Sequence, residues 1–304
     1  VNEADVRGEI YMYSRHVAFI EGNELFDAGF FGVVPREAAS MDPQQKNILE
    51  TGATAFEIAD MPMKSLMRKQ CSVLVGQMMY DWFADPTTGR AVNKYALAGS
   101  GSAPSIMANR VSFIFGVEGP SVSVDTACSS SLVNTDIGIE QLRRGRSMAA
   151  LCVGTNSIIG ARSAITMSSA GMLSTDGHCK TYDNLCNGFG RGEGCASIVL
   201  GPSVEDREQF HVTRVSASGI NQDGRSASLT APNGRAQQNL LQTCLKESGN
   251  IQIETIENHG TATSLGDPIE VGAIMVVIER HANPDKPRQR HMGAVKTNVG
   301  HLEG

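Results

Sequence analysis

Val122 and Val124 alternate with polar neighbours just ahead of Asp125-Thr126-Ala127-Cys128, a period of two that predicts the end of a buried strand. Beyond Cys128 the apolar positions Leu132, Val133, Ile137 and Leu142 follow an irregular spacing closer to a helix than to a strand. Arg143 and Arg144 supply a basic last turn, and Gly145 a C-terminal cap. Upstream, Met41-Asp42-Pro43 places Asp at an N-cap and Pro at the first helical position. Ile48, Leu49, Ala53 and Phe56 are the apolar positions of that helix, and a turn-rich rim carrying Phe26, Phe30 and Phe31 precedes it. Ser72–Val75 predicts a short apolar strand, and residues 80–89 a loop containing Trp82. A second helix is predicted over 104–115, with Ile106, Met107, Val111 and Ile114 on one face and Gly116, Gly119 and Pro120 ending it. Ala149–Val153 is the next strand.

The pattern loosens after that. Residues 154–200 read mostly as loop, dense in glycine. Gly188–Gly194 has the glycine density of a phosphate-cradling loop, but it leads into a strand at Cys195–Leu200 and opens no helix. Tight turns with close backbone approach are the better reading there. A strand is predicted over 210–220, a polar turn region over 221–233 and an amphipathic helix over 235–245. Glu254–Glu257 reads as a strand running to His259, Asp267-Pro268 starts a helix, and Met292–Val295 is a last strand followed by a loop from Lys296 to His301. This alternation of strands and helices predicts a layered α/β architecture.

Candidate chemistry follows from placement. Cys128 falls on a strand-to-helix turn, where unpaired backbone N–H groups favour thiolate over thiol. A thiol titrates near ~8.5 in water and lower at a helix N-terminus. The same residue would also serve as a small buried hydrophobe, and the local pattern leaves both open. His259 and His301 each sit just past a strand end beside glycine. Either alone would suit a structural hydrogen bond. Open α/β sheets, however, place ligand crevices at the carboxyl ends of their strands, and three reactive side chains at such positions point to a site.

Composition narrows the class. The 304 residues are 41% hydrophobic, with 32 glycines and a single Trp, the profile of a soluble, glycine-rich α/β protein able to bury a large core. A net charge of −6 without a basic cluster argues against a nucleic-acid partner. Apolar runs such as Ile274–Ile278 are far too short to cross a bilayer. Seven cysteines, odd in number and without a C-x-x-C pair, fit reduced cytoplasmic thiols better than disulfides or a zinc site. No signal-peptide pattern opens the chain, which starts at Val1 and stops at Gly304 and reads as cut at both ends.

Three segments carry a specific resemblance. Asp125–Leu132 (Asp-Thr-Ala-Cys-Ser-Ser-Ser-Leu), Asn258–Pro268 (Asn-His-Gly-Thr-Ala-Thr-Ser-Leu-Gly-Asp-Pro) and Lys296–His301 (Lys-Thr-Asn-Val-Gly-His) resemble the active-site motifs of β-ketoacyl synthases. The likeness is strongest to the ketosynthase domains of type I polyketide synthases and extends through Phe30–Gln45, Ala170–Gly194 and Asn221–Asn233. The resemblance implies a thiolase-like α/β fold, two similar halves in layered αβαβα order, incomplete at both termini. Residues 1–205 would form the half with the nucleophile, and 206–304 part of the half with two catalytic histidines. It also implies a homodimer and decarboxylative Claisen condensation. Cys128 would take an acyl chain from the phosphopantetheine of acyl carrier protein and pass it to a malonyl-type extender. His259 and His301 would stabilise the enolate, Lys296 would hold charge near them, Thr261 and Thr263 would bind the pantetheine arm, and the Cys128 backbone N–H would be an oxyanion donor. No metal or bound cofactor is implied.

Two departures lie in the second motif: the family usually has Gly where Ala262 stands and Ala where Asn258 stands, which predicts a slightly altered pocket lip. Asn134-Thr135-Asp136 is more polar than the family's helix after the nucleophile, which predicts different packing there. Alternatives are a non-elongating ketosynthase that only passes acyl chains on, the corresponding domain of a fatty acid synthase, and a structural chain-length partner. Retention of His259 argues against the first and Cys128 against the last. A simple thiolase is disfavoured because its second catalytic cysteine has no counterpart motif.

Overall fold

The computed structural model describes residues 12–84, 98–203, 212–281 and 290–304. The chain divides into two compact units. One comprises Phe19–Ser163, Gly192–Arg214 and Leu302–Gly304; the other comprises Val1–Ala18, Ala164–Arg191 and Val215–His301. Cys128 belongs to the former and both histidines to the latter.

The cysteine-bearing unit is built on a four-stranded sheet. Its strands are β1 (Cys71–Gly76), β2 (Ser121–Val124), β3 (Ala149–Asn156) and β4 (Gly194–Leu200), in the order β2-β1-β3-β4. β1 runs parallel to β2 and β3, with Leu74 opposite Val122 and Cys152, while β4 is antiparallel to β3. β1 is buried along its whole length, as a central strand covered on both faces must be. Its odd residues Cys71, Val73 and Val75 join Leu151 and Val153 in a core with α1 (Pro43–Ile58) and α2 (Pro104–Phe115). Leu74, Ala150 and Cys152 face the other way, against α3 (Ser130–Arg143). Period-two alternation thus serves two helical layers from one strand.

The helices begin and end where local chemistry dictates. Asp42 caps α1 by accepting from Gln44 N at 2.8 Å, and Pro43 opens it. Gly116, at φ +68°, closes α2 in the left-handed conformation that a residue with a Cβ resists. Trp82 stands in a single helical turn, Asp81–Ala84, and its indole N–H donates to Ser40 O at 3.0 Å; the remainder of the loop predicted over 80–89 lies outside the described residues.

Three expectations need correction. Ala161–Ser169, read as loop, is helix α4; Ser163, Ala164, Met167 and Ser168 are its buried positions, and serine at half of them hides the apolar period. Residues 213–220 belong to no sheet among the described residues, and 210–211 lie outside them. β-rich composition without a hydrogen-bonded neighbour does not make a strand. Residues 296–299, read as loop, form a helical turn.

In the histidine-bearing unit, α5 (Gly234–Glu247) packs on α6 (Gly266–Arg280), and β5 (Thr255–Glu257) pairs in parallel with β6 (His291–Gly293). Asn233 caps α5 through Arg235 N and Ala236 N, while Asp223 holds Asn233 N at 3.1 Å, so the polar stretch before the helix is its capping apparatus. The single turn α7 (Lys296–Val299) follows β6.

Candidate active site

Cys128 lies between the end of β2 and the start of α3, the strand–turn–helix that its flanking pattern predicts. The turn is wound tightly by its own polar groups. Asp125 Oδ1 accepts from Ala127 N at 3.0 Å, and Ser130 Oγ accepts from Thr126 N at 2.9 Å while donating to Ala127 O at 2.6 Å. Ala127 takes φ +56°, a left-handed conformation costing an L-residue roughly 1–2 kcal/mol. Held so, the turn leaves Cys128 exposed. None of the seven cysteines is in a disulfide.

What seats α3 behind this turn is a stripe of small and polar residues. Ser130, Asn134 and Gly138, four apart, are its buried positions, whereas Leu132 is 75% exposed. Asn134 Nδ2 donates to Val153 O at 2.8 Å, and a Cβ on Gly138 would come within 2.8 Å of Cys152 Sγ. A Cβ on Gly76 would stand 2.7 Å from Ser130 C, so strand and helix approach as closely as backbone allows. Close contact and a buried amide hydrogen bond, rather than a large apolar seam, hold α3 on its strands.

His259 and His301 are positioned by a separate set of clamps. Asn258 N donates to Gly293 O at 2.9 Å, extending the β5–β6 ladder by one bond, and His259 comes next. The Glu270 carboxylate on α6 then accepts from His259 N at 2.6 Å and from Gly260 N at 2.9 Å. Thr181 Oγ1 holds Gly260 O at 2.6 Å. Ala262, fully buried at φ +56°, occupies a left-handed position where glycine would sit without strain. Thr263 Oγ1 accepts from Gly266 N at 3.1 Å, so this hydroxyl helps form the turn into α6; Thr261 is buried beside it in the chain.

Beyond the other strand, β6, Val295 N at the start of α7 donates to Glu257 Oε1 at 2.6 Å. Gly300 ends that turn at φ +77°, and a Cβ there would meet Arg191 O and Gly190 O at 3.0 and 3.1 Å. This close approach lets His301 N donate to Gly190 O at 2.7 Å. The His301 ring, 4% exposed as a residue, stands edge to face on His259, with centroids 5.6 Å apart and planes at 86°. Phe189 covers it from another side at 4.9 Å. Burial, then His259, Lys296 and the buried Arg191 push the His301 imidazole down to about 3, so it is neutral at physiological pH. His259 is also pushed down, by desolvation first and Lys296 second, against Glu270 and Asp267. Both rings are thus neutral imidazoles, each with one N–H to donate and one nitrogen to accept.

Among the residues singled out from sequence, His259, His301, Lys296, Thr261 and Thr263 share one unit, and Cys128 stands in the other. Sequence reading missed Glu270, Phe189 and Arg191. Glu270 had a local signal, for it lies three residues after Asp267 on the first turns of a helix, one face with it. Arg191 and Phe189 reach His301 across more than a hundred residues and had none.

One α/β unit carries a cysteine on a strained strand–turn–helix and the other carries paired imidazoles at strand ends, and the solved neighbours of this chain are ketosynthases of the thiolase-like α/β fold. The profile of the β-ketoacyl synthase N-terminal domain matches residues 2–205, and that of the β-ketoacyl synthase C-terminal domain residues 212–304. The chain belongs to the β-ketoacyl synthase family, and its relatives are polyketide synthases. It is 42% identical over 284 residues to a phenolphthiocerol/phthiocerol polyketide synthase of Mycobacterium tuberculosis, covering 91% of this chain and 13% of that protein. Among solved structures, it is similar to the ketosynthase from module 6 of the bacillaene synthase of Bacillus subtilis 168, with 35% identity and a TM-score of 0.84 over 96% of this chain and 50% of that one. The oxazolomycin ketosynthase domain of Streptomyces albus JA3453 superposes with a TM-score of 0.86 at 28% identity, over 96% of this chain and 51% of that one. The chain therefore spans about half the length of these solved ketosynthases and a small part of the mycobacterial relative. No helix among the described residues is long and apolar enough to cross a membrane.

Proposed function

We propose that this chain supplies the catalytic residues of a β-ketoacyl synthase that extends acyl chains in polyketide biosynthesis by decarboxylative Claisen condensation. The Cys128 thiolate attacks an acyl thioester on the phosphopantetheine of acyl carrier protein and expels the pantetheine thiol. A malonyl-type thioester on acyl carrier protein then loses carbon dioxide, and the electron pair of the broken bond passes to the enolate. His259 and His301 donate their N–H groups to the enolate oxygen, which a neutral donor in a dry site does well. The carbanion attacks the acyl-Cys128 carbonyl, whose oxyanion is received by the Cys128 backbone N–H, and the thiolate leaves. Desolvation first, and the Lys296 charge after it, keep both imidazoles unprotonated, and Thr261 and Thr263 line the path of the pantetheine arm. Cys128 would act from the half formed by residues 1–205, and the histidines from 206–304.

The His259–His301 pair carries this reading: two neutral rings, edge to face, are held by backbone clamps that serve no other evident purpose. Pairing with a second copy is also proposed. β2 is an edge strand of its sheet among the described residues, and Val122 on it is 41% exposed, alongside Phe113 at 85% and Leu132 at 75% on the flanking helices. Reduced thiols throughout suit a cytoplasmic location.

Intact-mass spectrometry after exposure to a short acyl thioester and then malonyl carrier protein tests the proposal. An adduct on Cys128 that disappears as a ketoacyl product forms supports it. A persistent adduct with malonyl untouched means a non-elongating ketosynthase, and acylation of Cys128→Ala at the wild-type rate removes the nucleophile assignment.

A further inference from the structure

We propose that Tyr80 is a positioning residue for Cys128, acting through the Asp125 carboxylate that winds the nucleophile turn. The inference rests on Cys128 as the acyl-accepting residue. Asp125 uses its two oxygens on different partners: Oδ1 accepts from Ala127 N at 3.0 Å, and Oδ2 accepts from the Tyr80 hydroxyl at 3.3 Å. The first bond holds Ala127 in its left-handed conformation, one residue before Cys128. The second fixes the carboxylate's rotation, without which Oδ1 is free to swing away from Ala127 N.

Tyr80 is itself well anchored for this task. It follows β1, and Gln77 N donates to Val124 O at 3.1 Å, continuing the β1–β2 ladder beyond the strand. Gln44 Nε2 on α1 holds Met79 O at 3.0 Å, one residue before Tyr80. The chain leading into the phenol is therefore tied both to α1 and to the strand that ends in the Cys128 turn. Partial burial, then the Asp125 charge, pushes the phenol pKa up, so the hydroxyl stays a donor at working pH. The contact spans 45 residues in sequence and lies outside all three motifs.

Three measurements on Tyr80→Phe, which deletes only the hydroxyl, test the inference in the protein that carries this chain. The acylation rate at saturating thioester should fall about fivefold, the scale of one lost hydrogen bond to a charged group in a partly exposed place, with KM unchanged. The rate of Cys128 alkylation by iodoacetamide should fall in parallel. In an Asp125→Ala background, Tyr80→Phe should have no further effect on either rate, since both act through one carboxylate. Asp125→Asn should also lower the titration midpoint of one tyrosine, followed by ultraviolet absorbance and assigned by its absence in Tyr80→Phe. Unchanged rates in Tyr80→Phe, additive effects with Asp125→Ala, or a tyrosine titration indifferent to Asp125 would each overturn the inference. If wild-type Cys128 takes no acyl group at all, the proposed function fails, while the alkylation and titration arms still decide the role of Tyr80.

Discussion

Replacing Asp42 by Asn should stabilise the protein at neutral and alkaline pH and leave it unchanged in acid. Asp42 caps α1 from a buried position, and desolvation, reinforced by the nearby Asp81 carboxylate, raises its pKa from 3.8 to about 7. Its bonds from Gln44 N and Gln44 Nε2, and the charge of Lys46, pull the other way without prevailing. Between pH 3.8 and about 7 the folded state therefore holds a proton that the unfolded chain has released, and stability falls as pH rises through that window. A shift of about 3 units at 1.36 kcal/mol each sets the loss at about 4 kcal/mol once pH exceeds 7. Asn keeps the carbonyl acceptor that an N-cap needs and carries no charge to desolvate. Urea unfolding of wild type and Asp42→Asn at about pH 5 and about pH 8 measures the effect: the variant's advantage should grow by about 2 kcal/mol or more between them. An equal difference at the two pH values, or a variant weaker at both, would refute the assignment of a buried, costly charge to Asp42.

Other predictions address the site and its supports. Glu270→Gln leaves one acceptor oxygen for two backbone N–H groups, so condensation should slow about tenfold or more while acyl loading at Cys128 is spared, as single-turnover assays of each step would report. His301 should remain neutral at about pH 5, seen as an unprotonated imidazole by nitrogen-edited NMR. Because its folded pKa is depressed, its contribution to stability is complete above the unfolded value of 6.5 and is lost as pH falls toward about 3. Gly138→Ala should cost about 1–3 kcal/mol in urea unfolding, since its Cβ would press on Cys152 Sγ, and adding Cys152→Ala should recover most of that loss.

The Cys128 turn was legible because its determinants are local. Alternation at Val122 and Val124, a turn residue at Asp125 and a basic, glycine-ended helix lie within 25 consecutive residues, and the structure has β2, the turn and α3 there, although β2 is an edge strand among the described residues, with Val122 exposed, rather than the buried strand predicted. The same holds for α1, signalled by Asp42-Pro43, and for α2, stopped by Gly116. Helix α4 escaped notice because Ser163 and Ser168 occupy buried positions that the apolar period requires, and Ser163 is satisfied by Asp81, 82 residues away. Residues 213–220 carry strand-like composition but lack a paired neighbour among the described residues, and no local pattern reports on pairing.

Residue types and their neighbours in sequence thus determined the strand–turn–helix at Cys128, the capped helices and the strand-end placement of Cys128, His259 and His301, since propensity, capping and periodicity act over a turn or two, while Lys296, Thr261 and Thr263 were named by the family resemblance. Tertiary structure alone decided the rest. It made both imidazoles neutral, because desolvation and the charge of Lys296, joined at His301 by Arg191, act through space. It also assigned Glu270 to clamp the His259 loop and Tyr80 to the Asp125 carboxylate. Hydrogen bonds and Coulomb forces depend on distance in space, and only the folded backbone sets that distance.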